Sequence, residues 1–254
     1  MKSDAKEREL QSSFTRMAAD YDQDRFGDPP LQYFKALENE AIHQFLGEVR
    51  ARRIIDVGSG TGRICIPLAL SGARVTAADL TEEMTRIARA KARKAGRIDL
   101  VFCIASAREL PFRPGVFDAL TSVRMFHLIP KNLLREFVVE MATMVRPGGT
   151  MVLEFNNAFY AGFMGLLRDL QNLIWTRTRG TNRTHVLFPW EVRSICRDLG
   201  KVESHGVYLP LQYRLHRRGP RLAARIARWA SVFPLNYIAK NLIVVIRIPT
   251  GHAE

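Results

Sequence analysis

Asp56, Gly58, Gly60, Gly62 and Asp79 have the types and the spacing to hold a small polar ligand. Ile54-Ile55-Asp56-Val57 reads as a buried strand, the three alternate glycines as a tight turn, and the apolar-periodic stretch after them as a helix. Glycine suits such a turn because it takes φ above zero and lets a ligand approach the backbone closely. N–H groups at the start of the following helix can then hold polar or anionic atoms. A dinucleotide site runs G-x-G-x-x-G, but here Arg63 takes the sixth position. A carboxylate at Asp56 would repel a pyrophosphate and can accept hydrogen bonds from an amine or from loop N–H groups. The spacing therefore favours a ligand with an amino-acid end and a ribose. Asp79 closes the next strand, seventeen residues beyond Gly62, where a carboxylate can accept both ribose hydroxyls. Its competing reading is a helix cap.

Other candidates stand at strand ends or in the N-terminal segment. Ser122–Leu128 follows the fourth strand, at the edge where open α/β sheets bind ligands. His127 there is a candidate general base, since an unperturbed imidazole has its pKa near physiological pH, or a histidine packed beneath the ligand. Arg124 is placed to meet a ligand carboxylate or the acceptor, or to line the rim. Glu154 and Asn156 end the fifth strand beside the expected acceptor pocket, and Phe159 and Phe163 open an apolar helix after it. Asn156-Asn157-Ala158-Phe159 loosely resembles an N-P-P-Y loop, but it lacks the prolines and follows the wrong strand. Glu82-Glu83 suits a helix N-terminus better than acid–base work. H-E-x-x-H, C-x-x-C and G-x-S-x-G are absent, so no metal, zinc or serine-hydrolase chemistry is expected. Cys65, Cys103 and Cys196 are far apart in apolar settings and read as reduced, buried thiols.

The elements that must position these residues alternate. A helix over 4–20, the break Asp28-Pro29-Pro30 and a second amphipathic helix precede the first strand as an N-terminal cap. Strands are expected at 54–57, 73–78, 98–103, 116–123, 150–155, 202–209 and 242–248, with helices at 82–94, 131–145, 159–174, 189–199 and 221–233. Arg146-Pro147-Gly148-Gly149 reads as a helix stop. Alternation of this length implies a parallel sheet with right-handed crossovers.

Length suits one α/β domain with a cap or insertion: 254 residues can bury a sizeable core. The net charge of +13 is unevenly placed, since 204–253 holds no acid and eight Arg and Lys. That points to an anionic partner for the C-terminal region. A helix over 221–233 would carry Arg221, Arg225 and Arg228 beside Leu222, Ile226, Trp229 and Phe233. It suits an anionic membrane surface, packing on its own domain, or, in third place, RNA. No run reaches the roughly eighteen apolar residues of a membrane span, and the charged N-terminus has no signal core. A cytoplasmic or peripheral-membrane location is the expectation.

Taken together, these segments resemble class I S-adenosylmethionine (SAM)-dependent methyltransferases. Asp56-x-Gly58-x-Gly60-x-Gly62 resembles their motif I, E/D-x-G-x-G-x-G. Ala105-Ser106-Ala107-Arg108-Glu109-Leu110-Pro111-Phe112 is similar to G-D-A-x-x-L-P-F, and Val116-Phe117-Asp118-Ala119-Leu120 to the "FD" strand, with Asp118 structural. The Arg146–Gly149 turn then completes the order across 54–149. The resemblance implies a Rossmann-like seven-stranded, mostly parallel sheet of order 3-2-1-4-5-7-6, with helices on both faces and an antiparallel last strand. It also implies SAM as the donor, held by Asp56, Gly58, Ser59, Gly60, Thr61, Gly62, Asp79, Leu80, Ser106, Ala107 and Arg124. The family's aspartate at position 106 takes the adenine amine; Ser106 would make a weaker contact there, with the Ala107 N–H alongside.

Ala18-x-x-Tyr21-Asp22 resembles an A-x-x-Y-D segment that folds over the donor, which makes Tyr21 a candidate catalytic residue and Arg25 a candidate acceptor contact. Residues 1–50 would form the helical cap, and 51–254 the methyltransferase domain with a helical insertion at about 156–188. The chain is most similar to small-molecule methyltransferases of quinone and lipid biosynthesis. Methyl transfer to a small, partly apolar, anionic or membrane-associated acceptor follows as the expectation, with the acceptor enclosed by the cap and 159–183. Attack on a sulfonium methyl asks for alignment and exclusion of water rather than a strong base. An RNA methyltransferase using the basic C-terminal region and a non-catalytic SAM-binding subunit are the alternatives.

Overall fold

The computed structural model describes residues 2–96, 98–162, 185–209, 219 and 235–250. Three helices precede the sheet: α1 (Lys2–Met17), α2 (Tyr21–Phe26) and α3 (Pro29–Leu46). Proline in the first turn of α3 sits where a missing N–H is harmless, and Gly47 with φ 69° ends that helix. The short α2 was not expected from the sequence. It has only six residues, with Asp22 and Asp24 in its first turn, too few for a helical period to be read.

The order then runs β1 (Arg53–Val57), α4 (Cys65–Leu70), β2 (Arg74–Asp79), α5 (Glu82–Ala95), β3 (Leu100–Ile104) and β4 (Phe117–Ser122). It continues through α6 (Leu134–Met144), β5 (Val145–Asn156), α7 (Pro189–Ile195), β6 (Lys201–Val207) and β7 (Asn241–Arg247). The seven strands form one sheet of order β3-β2-β1-β4-β5-β7-β6, the expected order. β1 pairs in parallel with β2 and β4, β2 with β3, and β4 with β5. β7 runs antiparallel to both β5 and β6.

Strand alternation builds two cores. Ile55, Val57, Leu120, Met151 and Leu153 face Leu134, Val138 and Met141 of α6. Ile54, Val75, Ala119, Val152 and Ile243 face Ile42 and Leu46 of α3 and Leu68 of α4. Helices therefore cover both faces, and near-continuous apolar runs such as Leu242–Ile246 are buried from both sides.

The Arg146–Gly149 segment differs from its reading as a helix stop. α6 has already ended at Met144, and the segment is a bulge within β5: Phe117 pairs with Val145, and Ala119 with Thr150. A Cβ on Gly149 would stand 2.8 Å from Asp118 O, so the close approach of two backbones requires glycine there. Residues 158–162 are helical. The remainder of the expected 159–174 helix with Phe163, the Arg177–Arg183 loop and the basic 221–233 helix lie outside the described residues. Among the described residues, no helix is long and apolar enough to cross a membrane.

Strand order reverses between β1 and β4, whose C-terminal ends diverge into a crevice. The glycine loop, the end of β2 and the Ser122–Leu128 segment all open onto it.

Candidate cofactor site

Beyond β1 the chain turns through Gly58, Gly60 and Gly62, with φ of 73°, 52° and 88°. The loop satisfies most of its own donors. Gly58 N and Ser59 N donate to Ala78 O at 2.8 and 3.1 Å, and Gly62 N to Ser59 O at 3.0 Å. Gly60 N donates to Asp79 Oδ2 at 2.7 Å. At the start of α4 the Cys65 N–H leans on the Asp56 carboxylate. These N–H groups are therefore not turned to a ligand, contrary to the sequence expectation. α4 has six residues, and Asp56 already occupies the place an anion would take. The three glycines divide by role. A Cβ on Gly58 would come 2.9 Å from Met125 Sδ, and one on Gly62 would come 3.3 Å from Ala88 Cβ, while one on Gly60 would meet open space. Only Gly60 leaves room for a ligand.

The crevice holds about 1090 Å³ of space between atoms, the open solvent at its mouth included. Asp56, Gly58–Thr61, Asp79, Leu80, Ser106, Ala107 and Arg124 stand on its wall, with Tyr21 in the roof. Asp56 is buried, and Thr121 Oγ1 donates to its Oδ1 at 2.8 Å. Its Oδ2 is buried with no hydrogen-bond partner. Burial pushes the carboxyl up to about 7, against the Thr121 hydrogen bond. A carboxylate oxygen held this way calls for an amine or cation from the cavity. Asp79 Oδ1 accepts from Thr81 N at 2.8 Å, while Oδ2 holds Gly60, so the carboxylate is fixed between loop and helix. Burial raises its pKa against those two N–H bonds. Each of its oxygens keeps a lone pair for a ribose hydroxyl.

The roof is pinned by side chains that the sequence did not single out. Gln11 Nε2 donates to Leu80 O at 3.1 Å, and Thr15 Oγ1 to Glu83 Oε2 at 2.9 Å. Asp22 accepts the Thr61 hydroxyl at 2.7 Å and pairs with Lys91, which also reaches Thr61 O at 3.0 Å. Glu7, Leu10 and Phe14 of α1 complete the wall. Arg63, read only as a missing glycine, forms a buried ion pair with Glu38 of α3. Burial works against both charges, yet each holds the other ionised. A charged residue inside an apolar-periodic stretch was the available signal.

Several expected residues fall elsewhere. His127 is half-buried on the one-turn helix Phe126–Leu128. Its neighbours Met125, Leu128 and Ile129 line the cavity; His127 does not. Glu154 lies beneath the wall, accepting from Arg124 N at 3.1 Å and from the Asn241 amide. Burial and then repulsion by Glu38 push it up to about 8. Arg124 takes φ 59°, a left-handed conformation uncommon for a residue with a side chain, and the Glu154 contact fixes it. Asn156 pairs with Asn241 in the sheet register, off the cavity wall. Phe159 packs on Phe188 and Trp190 at 5.1 and 5.6 Å, an aromatic cluster away from the glycine loop. The Arg25 side chain and Phe163 lie outside the described residues. Asp118 is structural: Arg53 N and Arg146 Nε donate to it at 2.7 and 2.6 Å. Among the described residues, no group of His, Cys, Asp or Glu is arranged to hold a metal.

A sheet order reversing beside this loop, with an acid before the loop and another closing β2, is the arrangement that the resemblance to class I SAM-dependent methyltransferases implied. Residues 54–149 match the methyltransferase-domain family. The chain is 28% identical over 183 residues to a ubiquinone biosynthesis O-methyltransferase of Bordetella avium, covering 69% of this chain and 75% of that protein. It is 41% identical over 100 residues to an uncharacterized protein of Mycobacterium tuberculosis, covering 39% of this chain and 35% of that protein. This chain thus spans about a third of the length of the first curated relatives it matches. Among solved structures it resembles a magnesium protoporphyrin IX methyltransferase of Synechocystis with bound SAH. The TM-score is 0.65 at 15% identity, over 95% of this chain and 99% of that one, a likeness of fold.

Proposed function

We propose that the chain transfers the methyl group of SAM to a small, partly apolar acceptor enclosed beneath α1 and α2. The observation that carries this reading is the cavity itself, lined by Asp56 with its unpartnered buried oxygen, by Asp79 and by Gly60, beside which a side chain would meet open space. The residues fit the donor. Asp56 Oδ2 would accept its ammonium, Asp79 its ribose hydroxyls, and Gly60 lets it lie against the backbone. Arg124 on the same wall suits its carboxylate.

When bound, SAM supplies an electrophilic methyl carbon on a sulfonium. The chain's contribution is alignment and exclusion of water. Phe14 and Tyr21 close the roof with ring centroids 6.1 Å apart, and Met125, Leu128 and Ile129 present an apolar wall to the acceptor. Similarity to ubiquinone biosynthesis O-methyltransferases supports an oxygen on a partly apolar small molecule as the methylated atom. The acid-free basic stretch from 204 to 253 supports delivery of that acceptor from an anionic membrane surface.

Supplying the protein with methyl-labelled SAM and fractionated cell extract tests the reading. Label in a partly apolar small molecule is the expected result. Label confined to RNA, or no transfer to any fraction despite SAM binding, would overturn it in favour of the RNA or non-catalytic alternative.

A further inference from the structure

The position of Asp79 fixes where a purine must go. In the donor reading above, on which this inference rests, the Asp79 carboxylate takes the ribose. The side toward β1 is filled by the glycine loop and Asp56, so the base lies toward the end of β3. The wall there is Leu80, Ala105, Ala107 and Phe137, a largely apolar slot suited to a flat ring. Adenine brings an exocyclic amine into that slot, and a buried amine needs an acceptor.

Three carboxylates stand on the cavity wall, Asp56, Asp79 and Glu7. Asp56 is held by Thr121, and Asp79 grips Gly60 and Thr81. Glu7 comes from outside the sheet, on α1, and is fastened to the end of β3. Ser106 Oγ donates to Glu7 Oε1 at 2.9 Å and accepts from Arg108 N at 3.2 Å. The serine's single proton is thus spent on Glu7. One helical turn further on, Gln11 ties α1 to Leu80 O, beside Asp79. The geometry points to Glu7 as the acceptor of the adenine amine, with Ser106 as the residue that positions it. The donor's base is then read by the cap helix rather than by the sheet. Ser106 is a positioning residue here, not the direct adenine contact expected from the sequence.

Calorimetry on the full chain with S-adenosylhomocysteine and with S-inosylhomocysteine, whose ring carries a carbonyl in place of the amine, tests this. A hydrogen bond to a charged acceptor predicts that the wild type prefers the adenosyl ligand by about tenfold or more. Glu7→Ala should lose roughly tenfold on the adenosyl ligand and about twofold or less on the inosyl one. Glu7→Ala with Ser106→Asp should restore the preference by returning a carboxylate to the slot. A cap that has merely come loose would weaken both ligands equally and leave the ratio intact, which would overturn the assignment. If the wild type binds the adenosyl ligand but Glu7→Ala keeps the preference, Glu7 is excluded and the donor reading stands. If the wild type binds neither ligand, both readings fall.

Discussion

Asp56 gives the site a pH dependence that can be worked through. Its carboxyl is buried, and burial, opposed by the Thr121 hydrogen bond, moves its pKa from the ordinary 3.8 to about 7. The cationic ammonium of the donor would supply the partner that Oδ2 lacks, so binding should select the ionised form. With a pKa of about 7, roughly one molecule in eleven is ionised at pH 6 and ten in eleven at pH 8. Affinity for S-adenosylhomocysteine should therefore be about tenfold weaker at pH 6 than at pH 8. Titrations at pH 6, in buffers of different ionisation enthalpy, should show release of nearly one proton per ligand bound. Asp56→Asn should bind weakly at both pH values with a flat profile. The same shift acts on stability without ligand. Because the folded pKa is raised, the group's contribution is full below about 3.8 and is lost as pH rises through about 7. Asp56→Asn should make the falling slope of pH-dependent unfolding shallower by its share, with Asp79 and Glu154, also raised by burial, keeping theirs. A wild-type affinity constant from pH 6 to 8, or a stability slope left unchanged by Asp56→Asn, would refute the reasoning.

Two further substitutions probe the frame around the loop. Asp79→Ala removes the carboxylate that holds Gly60 N and Thr81 N; donor affinity by calorimetry should fall about tenfold or more, and unchanged affinity would remove its ribose role. Arg63→Met leaves Glu38 as a buried charge without its partner, at a cost of about 3–5 kcal/mol. Chemical denaturation should register that loss and recover most of it in Glu38→Gln with Arg63→Met. A single-variant loss below about 1 kcal/mol would mean the pair does not hold α3 to the loop.

Whereas the sheet order came only from the family resemblance, the strands and the loop were legible because apolar runs, alternate glycines and strand-ending acids are local signals. The β5 bulge was not, since Arg-Pro-Gly-Gly serves equally as a helix stop, and only the approach of the Asp118 backbone decides for a bulge. Nor was the fate of the loop N–H groups. They turn to Ala78 O and Asp79 through contacts between strands, which no spacing along the chain encodes. Glu7 and Glu38 were not singled out in the sequence, because their partners, Ser106 and Arg63, lie far along the chain. Strand-end position brings Arg124 to the cavity wall but not Glu154 or Asn156. At those two positions the sheet register with Asn241 turns the side chains beneath the cavity or away from it.

Titration of the purified chain with SAM and, separately, with NAD tests the central claim most directly. The glycine loop with Asp56 before it and Asp79 after it predicts one SAM bound per chain and no binding of NAD. Binding of NAD without SAM would contradict the account.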